Sequence, residues 1–189
     1  GEHLSDCLLS RVQQQYPLAQ LVHRLDMATS GVVVIALRRK AETALKQQFA
    51  DRTVKKRYLA MVWGQLQQAE GTIDLPLIAD KDQLPKQKVC QQTGKTAITH
   101  YSLVQQLSDR ALVELSPITG RSHQLRVHML SLGHPILGDA FYAHTEAQQA
   151  APRLMLHAAS LQLHQPYHGN VLHFQADTDF VAANGVLKP

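Results

Sequence analysis

The chain has 189 residues, 44% of them hydrophobic and 18% charged, which is the composition of a folded domain and excludes a disordered segment. At about 150 residues per domain it reads as one domain. Lys and Arg number 19 against 15 Asp and Glu, a net charge of +4 that admits a polyanionic partner; no apolar run nears the roughly 18 residues of a membrane span, and Cys7 and Cys90 make no disulfide framework.

Leu4, Leu8, Leu9 and Val12 follow helical spacing, with Ser5 or Asp6 as N-cap and Pro17 ending the helix. After His23-Arg24-Leu25-Asp26, the segment Ala28-Thr29-Ser30-Gly31 reads as a turn, and Gly31 to Leu37 as one fully buried strand. Ala41, Ala44, Leu45, Gln48 and Phe49 predict an amphipathic helix from about Lys40 to Arg52. From Lys56 the pattern alternates, with Tyr58, Ala60 and Val62 on one side and Leu59, Met61 and Trp63 on the other. Gly71 to Leu75 is a strand. The polar stretch Ala79 to Lys95 is a long loop or irregular hairpin, and long loops are usually functional or disordered. Thr96 to Val104 and Ala111 to Leu115 are paired strands, followed by a helix from Ser122 to Leu132 that Gly133 stops. A short helical turn at Ala147 to Pro152 precedes two strands, Leu154 to Leu163 and Asn170 to Ala176, and a last helical turn is expected at Asp179 to Ala183. No repeat or composition break appears. The simplest architecture is one α+β domain with a mixed or antiparallel sheet.

Asp26 is the first candidate for chemistry. A carboxylate at the mouth of a strand can be held rigid while facing solvent, which suits a nucleophile or general base. The alternative is a turn cap paired with Arg24. Arg121 and Arg126 follow a Thr119-Gly120 turn and are suited to an anion. At about 100° per residue, five residues do not bring both to one helix face, so a shared site needs Arg121 to precede the regular helix. The alternative is a solvated helix surface. Tyr58 beside Lys55, Lys56 and Arg57 offers a stacking surface for a splayed base, or is an ordinary half-buried strand tyrosine. Arg38, Arg39, Lys40, Arg52 and Lys55 to Arg57 are candidates for tracking phosphate, although basic surface residues are commonly just solvated. The eleven histidines lack the ligand spacing of a zinc site, so no metal is expected. His23-Arg24-Leu25-Asp26 is near the kinase catalytic loop, but the extra Leu, the absent Asn and the lack of a glycine-rich phosphate loop exclude that reading.

These motifs carry a resemblance. His23-Arg24-Leu25-Asp26-Met-Ala-Thr-Ser30-Gly31 resembles the H-R-L-D-x-x-T-S-G signature of the RluA-type pseudouridine synthases. Lys56 to Gly64 resembles that family's K-x-Y-x-A-x-V-x-G segment, and Gly120 to His128 its G-R-x-H-Q-I/L-R-x-H segment. Gly133 to Asp139 and Leu156-His157-Ala158 match later blocks in the same order, so the resemblance runs from about Leu4 to Phe180. It implies a long, bent, mixed or antiparallel sheet with flanking helices and a central RNA-binding cleft. It also implies cofactor-free isomerisation of uridine to pseudouridine in RNA. By this resemblance Asp26 is the essential carboxylate, Tyr58 packs on the base and serves in C5 proton removal, and Arg126 pairs with Asp26. Leu125 is an apolar wall of the uracil pocket, and Arg24 contacts the flipped-out nucleotide. Arg121 and His123 join them as substrate-binding residues. Lys86 and Lys88 do so from the 79–95 segment, whose sequence resembles the bacterial subgroup acting on ribosomal RNA and transfer RNA anticodon stem-loops. Family members normally open with a strand carrying N-K-P. This sequence starts after it, so the chain is expected to be a single catalytic domain, 1–189, without that strand. Gly1 in place of Met likewise reads as a fragment or a processed chain, and no signal peptide is expected, since a basic region followed by an apolar stretch is not seen. A monomer in the reducing cytoplasm, bound to RNA and to no membrane, is expected. The rival class is a catalytically silent RNA-binding or RNA-folding module, and a hydrolase using Asp26 and a histidine is a third.

Overall fold

The structure is a computed structural model that describes residues 6–181. In chain order its elements are α1 (Leu8–Gln15), β1 (Gln20–Leu21), β2 (Ser30–Gly31), β3 (Ile35–Ala36), α2 (Arg39–Ala50) and β4 (Lys55–Trp63). There follow β5 (Glu70–Asp74), β6 (Leu77–Ala79), β7 (Gln87–Val89), β8 (Ile98–Gln106) and β9 (Arg110–Pro117). The last are α3 (Gln124–Ser131), α4 (Thr145–Gln149), β10 (Leu156–His164) and β11 (Val171–Gln175).

Cys7 caps α1, its Sγ accepting the Ser10 amide while Ser10 Oγ accepts the Cys7 amide in return. Asp6, one of the two expected caps, instead pairs with Arg11 at 2.6 Å; Ser5, the other, lies outside the described residues. The helix closes at Tyr16, immediately before Pro17, whose ring cannot continue it. Ala41, Leu45 and Phe49 of α2 pack on Val22, Ala36, Val54, Leu161 and Leu163, as the helical spacing predicts.

Among the described residues the main sheet has seven strands. Antiparallel neighbours run β11–β10–β4–β9–β8–β5, and β2 joins the edge of β10 in parallel. Sheet and flanking helices form the expected α+β architecture. The alternation along β4 is as predicted, and it separates two cores. Tyr58, Ala60 and Val62 pack with Leu125 and Met129 of α3, while Leu59 and Met61 pack with Leu112, Leu137, Ala147 and Phe180 on the other face. Leu112, Leu115, Met129, Ile136 and Leu137 are essentially inaccessible, and burying each such side chain contributes about 1.5–3 kcal/mol.

The expected strand Gly31 to Leu37 is broken into β2 and β3, and Ala36 is its only buried residue. The cause lies at Gly31, whose φ is 111° and whose backbone passes so close to β10 that a Cβ would sit 2.2 Å from the Ala158 carbonyl oxygen. The Val32 amide then donates to that same oxygen at 2.9 Å, and the Val34 amide donates to His23 Nε2 at 2.9 Å. These partners satisfy the backbone in place of a continuous ladder.

The 79–95 segment belongs to an irregular hairpin built on β6 and β7, which docks on α3 through Leu77, Val89, Val127 and Tyr142. Residues 124–129 of α3 are all buried, so the solvated-surface reading is overturned for Gln124 to His128, while Arg121 and Ser122, ahead of the helix, are exposed. The short turn expected at Ala147 to Pro152 is α4, which starts at Thr145. Residues 179–180 form a turn and not a helix, and the remainder of that expected element lies mostly outside the described residues. Among the described residues no helix is long and apolar enough to cross a membrane.

Candidate active site

A cleft of about 470 Å³ opens between the 22–29 segment, the near face of β4 and the start of α3. That volume falls within the roughly 300–1,000 Å³ of ligand sites. Asp26 reaches it from a turn closed by the Thr29 amide donating to the Asp26 carbonyl oxygen at 2.9 Å. The turn is fastened to β10 by Ser30 Oγ and His157 Nδ1 at 2.8 Å, while His157 Nε2 sits 2.9 Å from the Ala176 carbonyl oxygen. A carbonyl only accepts, so Nε2 carries the proton and Nδ1 accepts from the serine. Gly31 completes the fastening through its close approach to Ala158. The Ser30-Gly31 pair of the motif thus holds the loop that carries Asp26.

Arg126, in the first turn of α3, is the cation that faces Asp26. Its Nε and Nη2 donate to Asp139 at 2.8 and 2.7 Å, and its remaining Nη1 lies 3.5 Å from an Asp26 oxygen. Asp26 therefore faces Arg126, not Arg24, and the turn-cap alternative holds only for its backbone. The side-chain exposures differ: 1% for Asp139, 6% for Arg126 and 18% for Asp26. Asp139 also accepts the Phe141 and Tyr142 amides at 2.9 and 3.2 Å. It follows Gly138, whose φ of 72° and whose virtual Cβ 1.8 Å from the Arg153 carbonyl oxygen admit no side chain. The rings of Phe141 and Tyr142 each lie 5.0 Å from the Arg126 guanidinium carbon. Burial works against the Arg126 charge, but the Asp139 hydrogen bonds and the two carboxylates outweigh it and raise its pKa.

Tyr58 stands on β4 at the cleft. Burial, helped by the nearby Asp26 charge, pushes its phenol up to about 12, so it is neutral at ordinary pH. A neutral phenol is a packing surface and a hydrogen-bond donor, not a standing base. Gln124 saturates its amide: Oε1 accepts from Thr119 Oγ1 and the Arg121 amide, and Nε2 donates to the Ile98 carbonyl and Thr99 Oγ1. This fixes the loop that carries Arg121 and His123 ahead of α3. Arg121 therefore precedes the regular helix, as a site shared with Arg126 requires. His123 takes a left-handed φ of 54° and places Nδ1 2.6 Å from Tyr142 Oη, which also accepts the Gln87 amide at 2.8 Å. Burial lowers the His123 pKa against the opposing pull of Asp26, which suits a neutral ring accepting the Tyr142 proton.

Arg24, Asp26, Tyr58, Arg121, His123, Leu125 and Arg126 all line the cleft. Lys86 and Lys88 do not. Lys88 is paired with Asp80 at 3.0 Å and Lys86 reaches Gln83 at 2.9 Å, both out on the hairpin. Sequence reasoning missed the roles of Asp139 and Tyr142. The only signal was the position of Asp139 at the end of the Gly133 to Asp139 block. Several histidines are structural: His128, fully buried, bonds Thr99 Oγ1 and the Leu75 carbonyl, and His134 bonds the Trp63 carbonyl. Among the described residues no three His, Cys, Asp or Glu side chains converge as metal ligands.

Comparison with known proteins places this geometry. Residues 3–131 match the RNA pseudouridylate synthase family. Over 180 residues the chain is 57% identical to the dual-specificity RNA pseudouridine synthase RluA of Escherichia coli K12, covering 95% of this chain and 82% of that protein. The RluA protein of Haemophilus ducreyi is 49% identical over 179 residues, 93% of this chain and 81% of that one. Among solved structures, human RNA pseudouridylate synthase domain containing 1 superposes with a TM-score of 0.80 at 28% identity, covering 92% of this chain and 75% of that chain. The chain belongs to the RNA pseudouridine synthase family, enzymes that isomerise uridine to pseudouridine within RNA.

Proposed function

We propose that Asp26 is the catalytic carboxylate of this isomerisation and that the substrates are stem-loops of both ribosomal and transfer RNA. The observation that carries the first part is the Asp26–Arg126 pair, 3.5 Å apart at a cleft that Tyr58 and Leu125 also line. In the reaction the N1–C1′ bond breaks, the uracil turns, and C5 bonds to C1′. The C5 proton leaves to solvent and N1 gains one, so reactant and product are isomers and no electron or group donor enters the balance. Attack on C1′ and removal of a ribose proton both need a carboxylate beside the sugar, and Arg126 supplies its counter-charge. Tyr58 and Leu125 offer the faces between which a uracil ring packs. Arg24, Arg121 and His123 line the rim, where the neighbouring nucleotides pass.

The target base must leave its stack, at a cost of a few kcal/mol that is least in loops, which supports stem-loops as substrates. The dual specificity named for the RluA relatives supports two RNA classes. Lys86 and Lys88, outside the cleft, are placed to meet RNA beyond the target nucleotide. The apolar clusters share one continuous sheet, which supports a single catalytic domain. Action as a monomer in the cytoplasm is part of the same reading, since ribosomal and transfer RNA are cytoplasmic substrates in bacteria. The test is tritium release from C5-tritiated uridine in ribosomal and anticodon stem-loops. Release by the wild-type chain and none by Asp26→Asn is expected. Equal release by both would remove Asp26 from the chemistry, and release from one RNA class alone would remove the dual specificity.

A further inference from the structure

Lys56 lies two residues before Tyr58 on β4, and the alternation of the strand turns both side chains to the cleft. Its Nζ donates to the Thr119 carbonyl oxygen at 3.1 Å, leaving two further N–H groups. Among the described residues no carboxylate lies within salt-bridge distance of it. The same is true of Arg24, Arg52 and Arg121, which line the same cleft. Arg126, by contrast, is already neutralised by Asp139. A half-buried ammonium without a counter-charge is held at a cost in the free protein. Burial, reinforced by the charge of Arg52, brings its pKa down to about 8. The space beside it is open on the Gly120 side, where a Cβ would meet no atom closer than Nζ itself, at 3.9 Å. This corner of the cleft is built for an anion.

We infer that Lys56 is a phosphate-binding residue, holding one backbone phosphodiester of the RNA while Tyr58 packs on the target base. The inference rests on the RNA-substrate reading above and extends it to one atom pair. Residues i and i+2 of a strand stand about 6.6–6.8 Å apart, the scale of one nucleotide from base to phosphate. Phosphate contacts fix register while base contacts specify, so Lys56 would set which nucleotide reaches Asp26.

The test couples protein charge to RNA charge. An anticodon stem-loop RNA is made with a neutral methylphosphonate at each loop position in turn. Dissociation constants are measured for the wild-type protein and for Lys56→Met, with tritium release followed in parallel. Wild type is expected to lose about ten-fold or more in affinity at one or more positions, as for a hydrogen bond to a charged group. Lys56→Met is expected to bind the unmodified RNA weaker by a similar factor and to show no further loss at one of those positions. Its salt dependence, log affinity against log salt, should be shallower by about 0.7–1. Lys56→Arg should restore the penalty at that position. The comparison is a ratio of ratios, so a partly misfolded variant does not mimic it. If Lys56→Met keeps every penalty that wild type shows, Lys56 only ties β4 to the 119 loop and the inference is overturned. It is equally overturned if no loop position is penalised in wild type. Wild-type binding without tritium release would count against the choice of RNA substrate and leave the coupling readable.

Discussion

Asp139 and Asp26 share one guanidinium, and the geometry assigns them opposite consequences on substitution. In Asp139→Asn the Oδ1 position keeps its amide partners at Phe141 and Tyr142, but an amide NH2 replaces the oxygen now 2.8 Å from Arg126 Nε. Two donors then face each other, and a cation 6% exposed loses its closest counter-charge. Breaking a buried pair from one side costs about 3–5 kcal/mol. Asp26, 3.5 Å away, remains as a substitute, which puts the expectation near the lower end, about 3 kcal/mol. At about 2–4 °C per kcal/mol for a chain of this length, the melting temperature should fall by roughly 6–12 °C. Asp26→Asn removes a looser contact from a partly open position and leaves the Arg126–Asp139 pair whole. Its stability should stay within about 1 kcal/mol of wild type, in either direction. Calorimetric melting and tritium release, measured on both variants, separate the two effects. Asp26→Asn should melt near wild type and release no tritium, while Asp139→Asn should melt early and, well below its transition, turn over at least ten-fold more slowly. If Asp139→Asn melted within 2 °C of wild type, or Asp26→Asn fell as far as Asp139→Asn, the division of labour would be refuted.

Tyr142→Phe removes the oxygen that accepts the Gln87 amide and bonds His123, for an expected loss of about 1–3 kcal/mol, seen as faster amide exchange at residues 87–89. His23, held neutral by burial and by the nearby Lys56 charge, has a pKa near 4 and accepts the Val34 amide. Its contribution is complete above about pH 6.5 and is lost as pH falls towards 4, by up to about 3 kcal/mol, because only the unfolded chain takes up the proton there. Urea unfolding of His23→Gln should therefore show a flatter decline between pH 6.5 and 4 than wild type; parallel declines would contradict the assignment. A phosphate against Lys56 favours its ammonium form, so wild-type RNA affinity should fall from pH 7 to pH 9 and that of Lys56→Met should not. The facing His23, with its pKa near 4, is already neutral across that interval. Gly31→Ala should fail to fold or melt far below wild type, since its Cβ would meet the Ala158 carbonyl at 2.2 Å.

What the sequence made legible follows from the range of the interactions involved. The alternation along β4 and the apolar stripe of α2 are local patterns, and both stand as read. The Gly31 to Leu37 run failed because its apolar content said strand while one glycine, chosen for a close pass against distant β10, dictated a break. Asp26, Tyr58 and Arg126 were identifiable because each sits inside a dense motif. Asp139 was not, although it is more deeply buried than any of them. Nothing in its neighbourhood announces that it will meet Arg126, and only folding shows that a lone acid after a glycine supports the arginine's bidentate edge. Lys56 was visible as one basic residue among several. Strand face and burial distinguish it from the exposed Lys55 and Arg57, and Arg57 moreover has a counter-charge in Glu114, which needs the tertiary structure to be seen. Lys86 and Lys88 were legible as basic residues of a long polar segment, but that the segment is a hairpin holding them outside the cleft shows only in the fold.

The asymmetry of the Arg126 contacts is itself a functional argument. A guanidinium bound bidentately by Asp139 and flanked by two aromatic rings cannot swing, so its free Nη1 presents a fixed positive charge to Asp26. At 3.5 Å that charge supports the Asp26 carboxylate without a short hydrogen bond that would immobilise it. Were Asp139 absent, Arg126 would be free to close on Asp26 and occupy the oxygen it now faces at 3.5 Å. The buried acid thus keeps Arg126 in place beside Asp26, and the ring of Tyr142 lets the hairpin that carries Lys86 and Lys88 share in holding that cation, because Tyr142 Oη accepts the Gln87 amide. A displacement of the hairpin at Gln87 would therefore reach, through Tyr142, the arginine that faces Asp26.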